Sequence, residues 1–154
     1  EIDWLIDLVT DIRAARAELR VPAGAKLALW AKDADAATTA LLERYRPALE
    51  RLARVASLHA GTPTADGGSL QVVVSTVTYV LPLEGQVDLA AERTRLTKEI
   101  AKLEKDVRQF EAKLANPQFV AKAPAEVVAE QTERRDEGRA TLARLQAALD
   151  RIAG

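Results

Sequence analysis

The sequence predicts an α+β fold in which a small β-sheet packed with helices is followed by a long antiparallel α-helical hairpin, a coiled-coil arm. Three observations predict it. Residues 2–20 place apolar side chains at helical spacing, residues 69–83 are rich in valine and other strand-forming residues, and residues 87–154 hold two long amphipathic patterns separated by prolines. We therefore expect a small α/β domain at residues 1–86 and a hairpin arm at residues 87–154.

The hairpin is predicted by the spacing of its apolar residues, which after an opening gap of seven alternate four and three apart as in a coiled coil. Pro117 and Pro124 interrupt the pattern, because a proline inside a helix removes a backbone hydrogen bond. Since the break is short, the two helices must fold back on each other. Such an arm has no room for a buried active site, so it binds a partner. The predicted seam consists of Leu89, Leu96, Ile100, Leu103, Val107, Phe110 and Leu114, and then of Leu142, Leu145, Leu149 and Ile152.

The first 86 residues predict alternating helices and strands. The helix at 2–20 should end at Val21-Pro22, since a proline moves the preceding residue to extended geometry. Pro47 either kinks or divides the helix predicted at 36–53. A tight connection or a bend at Ser75-Thr76 would join two strands as a hairpin. The strands are expected at 26–31, 55–58, 69–76 and 77–83, with a loop at 61–68.

Composition and the order of residues exclude several kinds of site and segment. The 154 residues include no cysteine, which excludes disulfides and thiolate metal sites and fits a reducing, cytoplasmic location. We expect no transmembrane span, because no apolar run approaches the ~18 residues that one requires. The acidic residues Glu1, Asp3 and Asp7 stand where a signal peptide would be basic, so no signal peptide is expected. The chain lacks methionine and opens within a helical pattern, as a piece of a longer protein would.

Charge alone does not predict a nucleic-acid-binding protein. The net charge is −1, with 9 basic against 11 acidic residues in 1–87 and 13 against 12 in 88–154. Four cations nevertheless lie three and four apart, and so on one side of the first arm helix: Arg95, Lys98, Lys102 and Lys105, here called the basic stripe. Two interpretations stay open. The stripe is either a solvated flank paired with Glu99, Glu104 and carboxylates of the second helix, or a row of phosphate contacts.

No catalytic constellation is evident in the sequence. His59 is the only histidine, and Ser57, Ser69 and Ser75 have no evident base beside them. Gly67-Gly68 is not followed by the Lys and Ser/Thr of a phosphate loop. We therefore predict no catalytic residue and no metal site in this chain.

Three segments resemble valyl-tRNA synthetases. Residues 12–24, from Ile12-Arg13 to Ala23-Gly24, are similar to the segment that closes the helical anticodon-binding domain of that family. Residues 87–100 resemble the start of its C-terminal coiled-coil arm, and residues 116–128 resemble the tip of the arm. Two departures stand out. Leu19-Arg20 replaces a Met-Asn-like pair, and Gly138 weakens the second helix by about 1 kcal/mol relative to alanine, which leaves a thin point in the seam.

The resemblance implies a parent enzyme that joins valine to its tRNA, a class I synthetase that uses ATP and Mg²⁺ and also carries an editing domain. None of those sites would lie in this chain. Residues 1–86 would supply the last helix of the anticodon-binding domain and an α/β connector. The arm at 87–154 would support the outer corner of a valine-specific tRNA, with no DNA or membrane partner. The implied tRNA-binding residues are Arg93, Arg95, Lys98, Lys102, Lys105, Arg108, Lys113 and Lys122.

Two alternatives remain at this point. Arg134, Arg135, Arg139 and Arg144 form a competing basic row on the second arm helix. The hairpin can also be interpreted as a protein-interaction module, or as a self-associating one, with no role in binding nucleic acid.

Overall fold

The computed structural model describes residues 1–64 and 68–153, and these form two compact units. The first unit contains residues 1–92 and the chain end from residue 150, and the second contains residues 93–149. The predicted α+β class with a long helical hairpin is confirmed. The helices are α1 (Ile2–Glu18), α2 (Ala36–Arg44), α3 (Arg46–Leu52), α4 (Leu89–Ala115), α5 (Pro117–Lys122) and α6 (Ala125–Asp150). The strands are β1 (Leu27–Lys32), β2 (Val55–Ala60), β3 (Ser69–Val74), β4 (Val77–Pro82) and β5 (Ile152–Ala153).

The sheet of the first unit has the strand order β2-β1-β4-β3-β5. β1 and β2 are parallel and are connected through α2 and α3, whereas the other neighbours are antiparallel. The pairs Leu70–Leu81 and Val72–Tyr79 lie in register across β3 and β4. All four of these side chains are buried, and their alternation along the strands places them on one face of the sheet.

Helix α1 packs on β3 through one apolar face. Leu8, Ile12, Ala15 and Leu19 are completely buried, and their spacing of three and four residues places them on that face. Tyr79 is also completely buried, and its hydroxyl accepts a hydrogen bond from Trp4 Nε1 at 3.1 Å. Burial is the main cause that raises the pKa of the Tyr79 phenol. This bond satisfies a polar atom that would otherwise be costly inside the core.

The end of α1 explains one departure from the valyl-tRNA synthetase pattern. Val21 N–H donates to Arg16 O at 2.9 Å and Arg20 N–H donates to Ala17 O at 3.2 Å, which is the bonding of a Schellman cap. Arg20 occupies the left-handed position of that cap with φ 57°. Glycine and asparagine adopt this conformation most readily. The asparagine-like residue expected at position 20 is therefore the one that the backbone favours.

Arg20→Asn is expected to raise the stability of the chain by about 1 kcal/mol, because the short polar side chain of asparagine bonds locally and so tolerates the left-handed conformation. For a chain of this size the melting temperature should rise by about 2–4 °C. Thermal unfolding followed by circular dichroism checks this, with Arg20→Ala as the matched control. Alanine has the same Cβ as asparagine but lacks the side-chain amide, so a gain in Arg20→Ala equal to that in Arg20→Asn would contradict the explanation.

The structure decides between the alternatives at two predicted breaks. Pro47 divides the predicted helix rather than kinking it, since α3 begins at Arg46 with the proline in its first turn. Ser75 and Thr76 form a two-residue turn with φ 49° and 69°, the signs of a type I′ hairpin. Residues 65–67 of the predicted loop at 61–68 lie outside the described residues.

The chain end corrects the predicted seam. α6 ends at Asp150, and Ile152 lies in β5, where it pairs with Leu70 of β3. The prediction that Ile152 continues the arm seam is therefore wrong, because Gln71 N–H donates to Arg151 O and draws this segment onto the sheet edge. Arg151 also pairs with Glu18 at 2.9 Å. Among the described residues, no helix has the length and apolar character to cross a membrane.

Candidate nucleic-acid interface

Helix α4 is the element that carries the candidate interface. Asp88 Oδ1 accepts a hydrogen bond from Ala91 N–H at 3.1 Å and so caps the start of the helix. The 27 residues from Leu89 to Ala115 extend over about 40 Å. Leu96, Ile100 and Val107 are buried, as the predicted seam requires. The seam fixes the rotation of the helix, and thus which residues face solvent.

The solvent-facing side of α4 carries only positive charge. In the fully described segment 94–113, ten residues are exposed, of which five are lysine or arginine and none is acidic. The carboxylates of this segment, at Glu99, Glu104, Asp106 and Glu111, are all only half-exposed. A neutral arm therefore presents a basic surface, here called the α4 basic face. Its cations are Lys98, Lys102, Lys105, Arg108 and Lys113.

Lys98, Lys102 and Lys105 are the centre of this face. At 3.6 residues per turn they lie within about 60° of one another around the helix and extend about 10 Å along it. Among the described residues, these lysines form no ion pair. Of the two interpretations of the basic stripe, the one in which its lysines pair with Glu99 and Glu104 is not supported; in the described part of the chain, only Arg95 of the stripe pairs, with Glu99. Exposed lysines without a partner remain able to contact phosphates.

The two arginines at the start of the predicted set are less available. Arg95 is half-buried, and its Nη1 lies 3.2 Å from Glu99 Oε1. Arg93 is also half-buried and lies about 160° around the helix from Arg95. Arg93 therefore does not extend the line formed by Lys98, Lys102 and Lys105.

The competing arginines on α6 do not form a second basic face. Arg134 pairs with Glu130 at 2.7 Å, and Arg139 pairs with Glu111 across the hairpin at 2.7 Å. Arg135 is half-buried and pairs with Asp136 at 3.0 Å. Five acidic residues among the exposed positions of α6 between 125 and 149 outnumber the exposed arginines of that segment. The acidic positions are Glu126, Glu130, Glu133, Asp136 and Glu137.

The tip of the hairpin contains a short helix that the sequence pattern did not predict. Asn116 Oδ1 accepts a hydrogen bond from Gln118 N–H at 3.0 Å, and Pro117 occupies the first turn of α5. Lys122 ends α5 and is exposed, so the last of the predicted cations lies at the tip. Phe119 is half-buried, whereas Val120 is 44% exposed.

Gly138 has a packing role in addition to the weakening of the helix that the sequence predicts. A Cβ atom at this position would lie 2.8 Å from Val107 Cγ2, closer than side-chain carbons approach. Val107 is a buried seam residue of α4. The absent side chain at this seam position allows α4 to approach α6, so the predicted thin point in the seam has a packing reason.

The structure places a serine and a histidine together, a pairing that the sequence did not predict. Ser57 Oγ lies 2.8 Å from His59 Nε2, and the His59 ring stacks on Trp30 with centroids 4.5 Å apart. Both residues of the pair lie on β2 at the edge of the sheet. No carboxylate within the described part of the chain bonds to His59, so the orienting group of a catalytic triad is not present there. The described residues also contain no group of metal-ligating side chains.

Comparison with known proteins decides the family. Residues 88–153 match the family model for the valyl tRNA synthetase tRNA binding arm. Residues 88–153 belong to the family of valyl-tRNA synthetase tRNA-binding arms. The valine–tRNA ligases of Zymomonas mobilis and Agrobacterium fabrum are each 46% identical to it over 152 residues, and that of Nitrobacter winogradskyi is 38% identical over the same length.

These alignments cover 99% of the chain but only 16–17% of the three ligases. The chain thus spans about one sixth of the length of its valyl-tRNA synthetase relatives. The arm matched by the family model includes the whole α4 basic face.

Proposed function

We propose that this chain is the tRNA-binding C-terminal part of a valine–tRNA ligase. The observation that supports the proposal is the α4 basic face, which carries five exposed cations and no exposed carboxylate within a segment that matches a tRNA-binding arm. Folded RNA is held through phosphate, ribose and shape contacts. A row of lysines without ion-pair partners provides such contacts.

The tRNA-binding residues of this proposal are those predicted from the sequence, in a revised order. Lys98, Lys102 and Lys105 come first, because they are exposed and lie close together. Arg108, Lys113 and Lys122 extend the surface toward the tip, while Arg93 and Arg95 contribute less because they are half-buried.

The wider properties of the parent protein are part of the same proposal. It would attach valine to valine-specific tRNA with ATP and Mg²⁺, at sites that lie outside this chain, and it would work in the cytoplasm. In this proposal the α/β domain at 1–86 and the arm at 87–154 are the two functional parts of the chain. Self-association of the hairpin stays an untested alternative.

Removal of the second unit from the full-length ligase tests the proposal. Residues 93–149 are replaced by a flexible Gly/Ser linker, because the first unit ends at residue 92 and resumes at residue 150. The KM for tRNA in aminoacylation should rise about tenfold or more, with a much smaller change in kcat, since the arm provides binding rather than chemistry.

The KM values for valine and ATP serve as internal controls and should not change. An unaltered KM for tRNA would contradict the proposal and favour the protein-interaction module. A loss of kcat with constant KM would place the arm in the chemical step, which is also contrary to the proposal.

A further inference from the structure

A cavity in the first unit is lined by arginines and by no acidic residue. It has a volume of about 390 Å³ and lies among the second half of α1, the connection from α1 to β1, and the end of α3. Arg13 and Arg16 come from α1, whereas Arg51 and Arg54 come from α3 and the residues after it. Apolar atoms of Val21 and Leu52 also line the cavity. We call it the arginine pocket.

Arg16 is held rigidly at this pocket. It is 7% exposed, and its Nη2 donates to the carbonyl oxygens of Ala25 at 2.6 Å and Pro22 at 3.1 Å. Its Nη1 is buried and has no hydrogen-bond partner among the described residues. Burial and, secondarily, the charge of Arg54 lower the pKa of the Arg16 guanidinium. Arg16 thus carries a positive charge that is only partly compensated.

The other three arginines are exposed and lack a structural partner. Within the described residues, none of Arg13, Arg51 and Arg54 forms an ion pair. Arg54 also has φ 55°, a left-handed conformation that favours glycine or asparagine. Four like charges around one cavity repel one another, and an anion among them removes that repulsion.

We propose that the arginine pocket binds a phosphate group of an RNA backbone. Guanidinium groups bind phosphate oxygens through two parallel hydrogen bonds, and several of them can close on one phosphate. The choice of RNA as the source of the phosphate rests on the proposed tRNA-binding function. Phosphate binding by the pocket does not rest on that function, since the charge and lining of the pocket are properties of the first unit alone.

A titration of the chain with inorganic phosphate tests the pocket without any RNA. The side-chain N–H resonances of Arg16 and of its three neighbours should shift and saturate at constant ionic strength, whereas sodium acetate should produce much weaker changes. The triple variant Arg13→Gln/Arg51→Gln/Arg54→Gln keeps the structural Arg16 and should lose the saturation. The matched control is Lys32→Gln/Arg20→Gln/Arg44→Gln, which removes the same charge from exposed sites outside the pocket. Absence of saturation in the unaltered chain, or equal binding of acetate, would overturn the proposal that the pocket binds phosphate.

Binding of tRNA to the same variants then tests the source of the phosphate. The pocket triple should lower the slope of log affinity against log salt by about one relative to the control triple, since one phosphate contact is lost. A larger loss in the pocket triple than in the control triple supports RNA, and an equal or smaller loss overturns it even where inorganic phosphate saturates the pocket. A failure of the tRNA-binding proposal for the α4 basic face is distinguishable from a failure of the pocket proposal. The phosphate titration tests the pocket and does not involve the second unit.

Discussion

Charge reversal of three lysines on α4 is expected to abolish tRNA binding at moderate salt. In Lys98→Glu/Lys102→Glu/Lys105→Glu the centre of the α4 basic face becomes acidic, and each lost phosphate contact removes about one unit from the salt slope. The slope should therefore fall by about three, and the affinity at ~100 mM salt should fall by about 100-fold or more. Filter binding or fluorescence anisotropy across a salt series measures both quantities.

Helicity should be unchanged in this variant, because the three side chains are exposed and form no ion pair in the described part of the chain. The matched control is Arg134→Glu/Arg139→Glu/Arg144→Glu on α6, which makes an identical change in net charge. Since Arg134 and Arg139 already pair with carboxylates, the control should lose much less affinity. Equal losses in the two triple variants would show that only overall charge matters and would remove the assignment to α4.

Gly138→Val is expected to destabilise the hairpin by about 2–3 kcal/mol. Even a Cβ at this position would lie 2.8 Å from Val107 Cγ2, and valine adds two further carbons. Val107 is buried and β-branched, so it cannot rotate away at low cost. The melting temperature, followed by circular dichroism, should fall by about 5–10 °C.

Two further variants isolate the contact at Gly138. Ala140→Val changes an exposed position of α6 and should cost only the helix-propensity difference of about 0.5 kcal/mol. Val107→Ala removes the atom that clashes, so the double variant Gly138→Val/Val107→Ala should be more stable than the sum of the two single changes predicts. Additive effects would contradict the proposed close approach of α4 and α6.

Much of the fold was predictable because it depends on local patterns. Three patterns each repeat over many residues: the helical spacing in α1, the valine-rich strands β3 and β4, and the seam of α4. Such a pattern predicts its element even where one side chain departs from it. The seam of the first half of α6 was not predicted, since most of its half-buried residues are polar or lack a side chain. Val128, Gln131, Arg135 and Gly138 continue the alternating spacing of Leu142.

The misjudged residues are those whose role depends on a partner distant in sequence. Ile152 fits the helical spacing, but it pairs with Leu70, more than eighty positions earlier in the chain. Gly138 resembles a helix-weakening residue until its contact with Val107 is known. Likewise, the basic stripe was predicted from spacing, yet only the pairing of Arg95 with Glu99 and the exposure of the lysines show which cations are available. A charge pattern gives positions on a helix, whereas burial and pairing determine availability.

Binding of the full chain to tRNA across a salt series, with duplex DNA as the control, tests the central claim most directly. Micromolar affinity for tRNA that falls steeply with salt and exceeds the affinity for DNA is the predicted result, because lysine contacts to phosphates release counterions. The greater affinity for tRNA would reflect contacts with its folded shape and its 2′-hydroxyl groups. Binding that is insensitive to salt, or that is equal for tRNA and DNA, would contradict the assignment of the α4 basic face as a tRNA-binding surface.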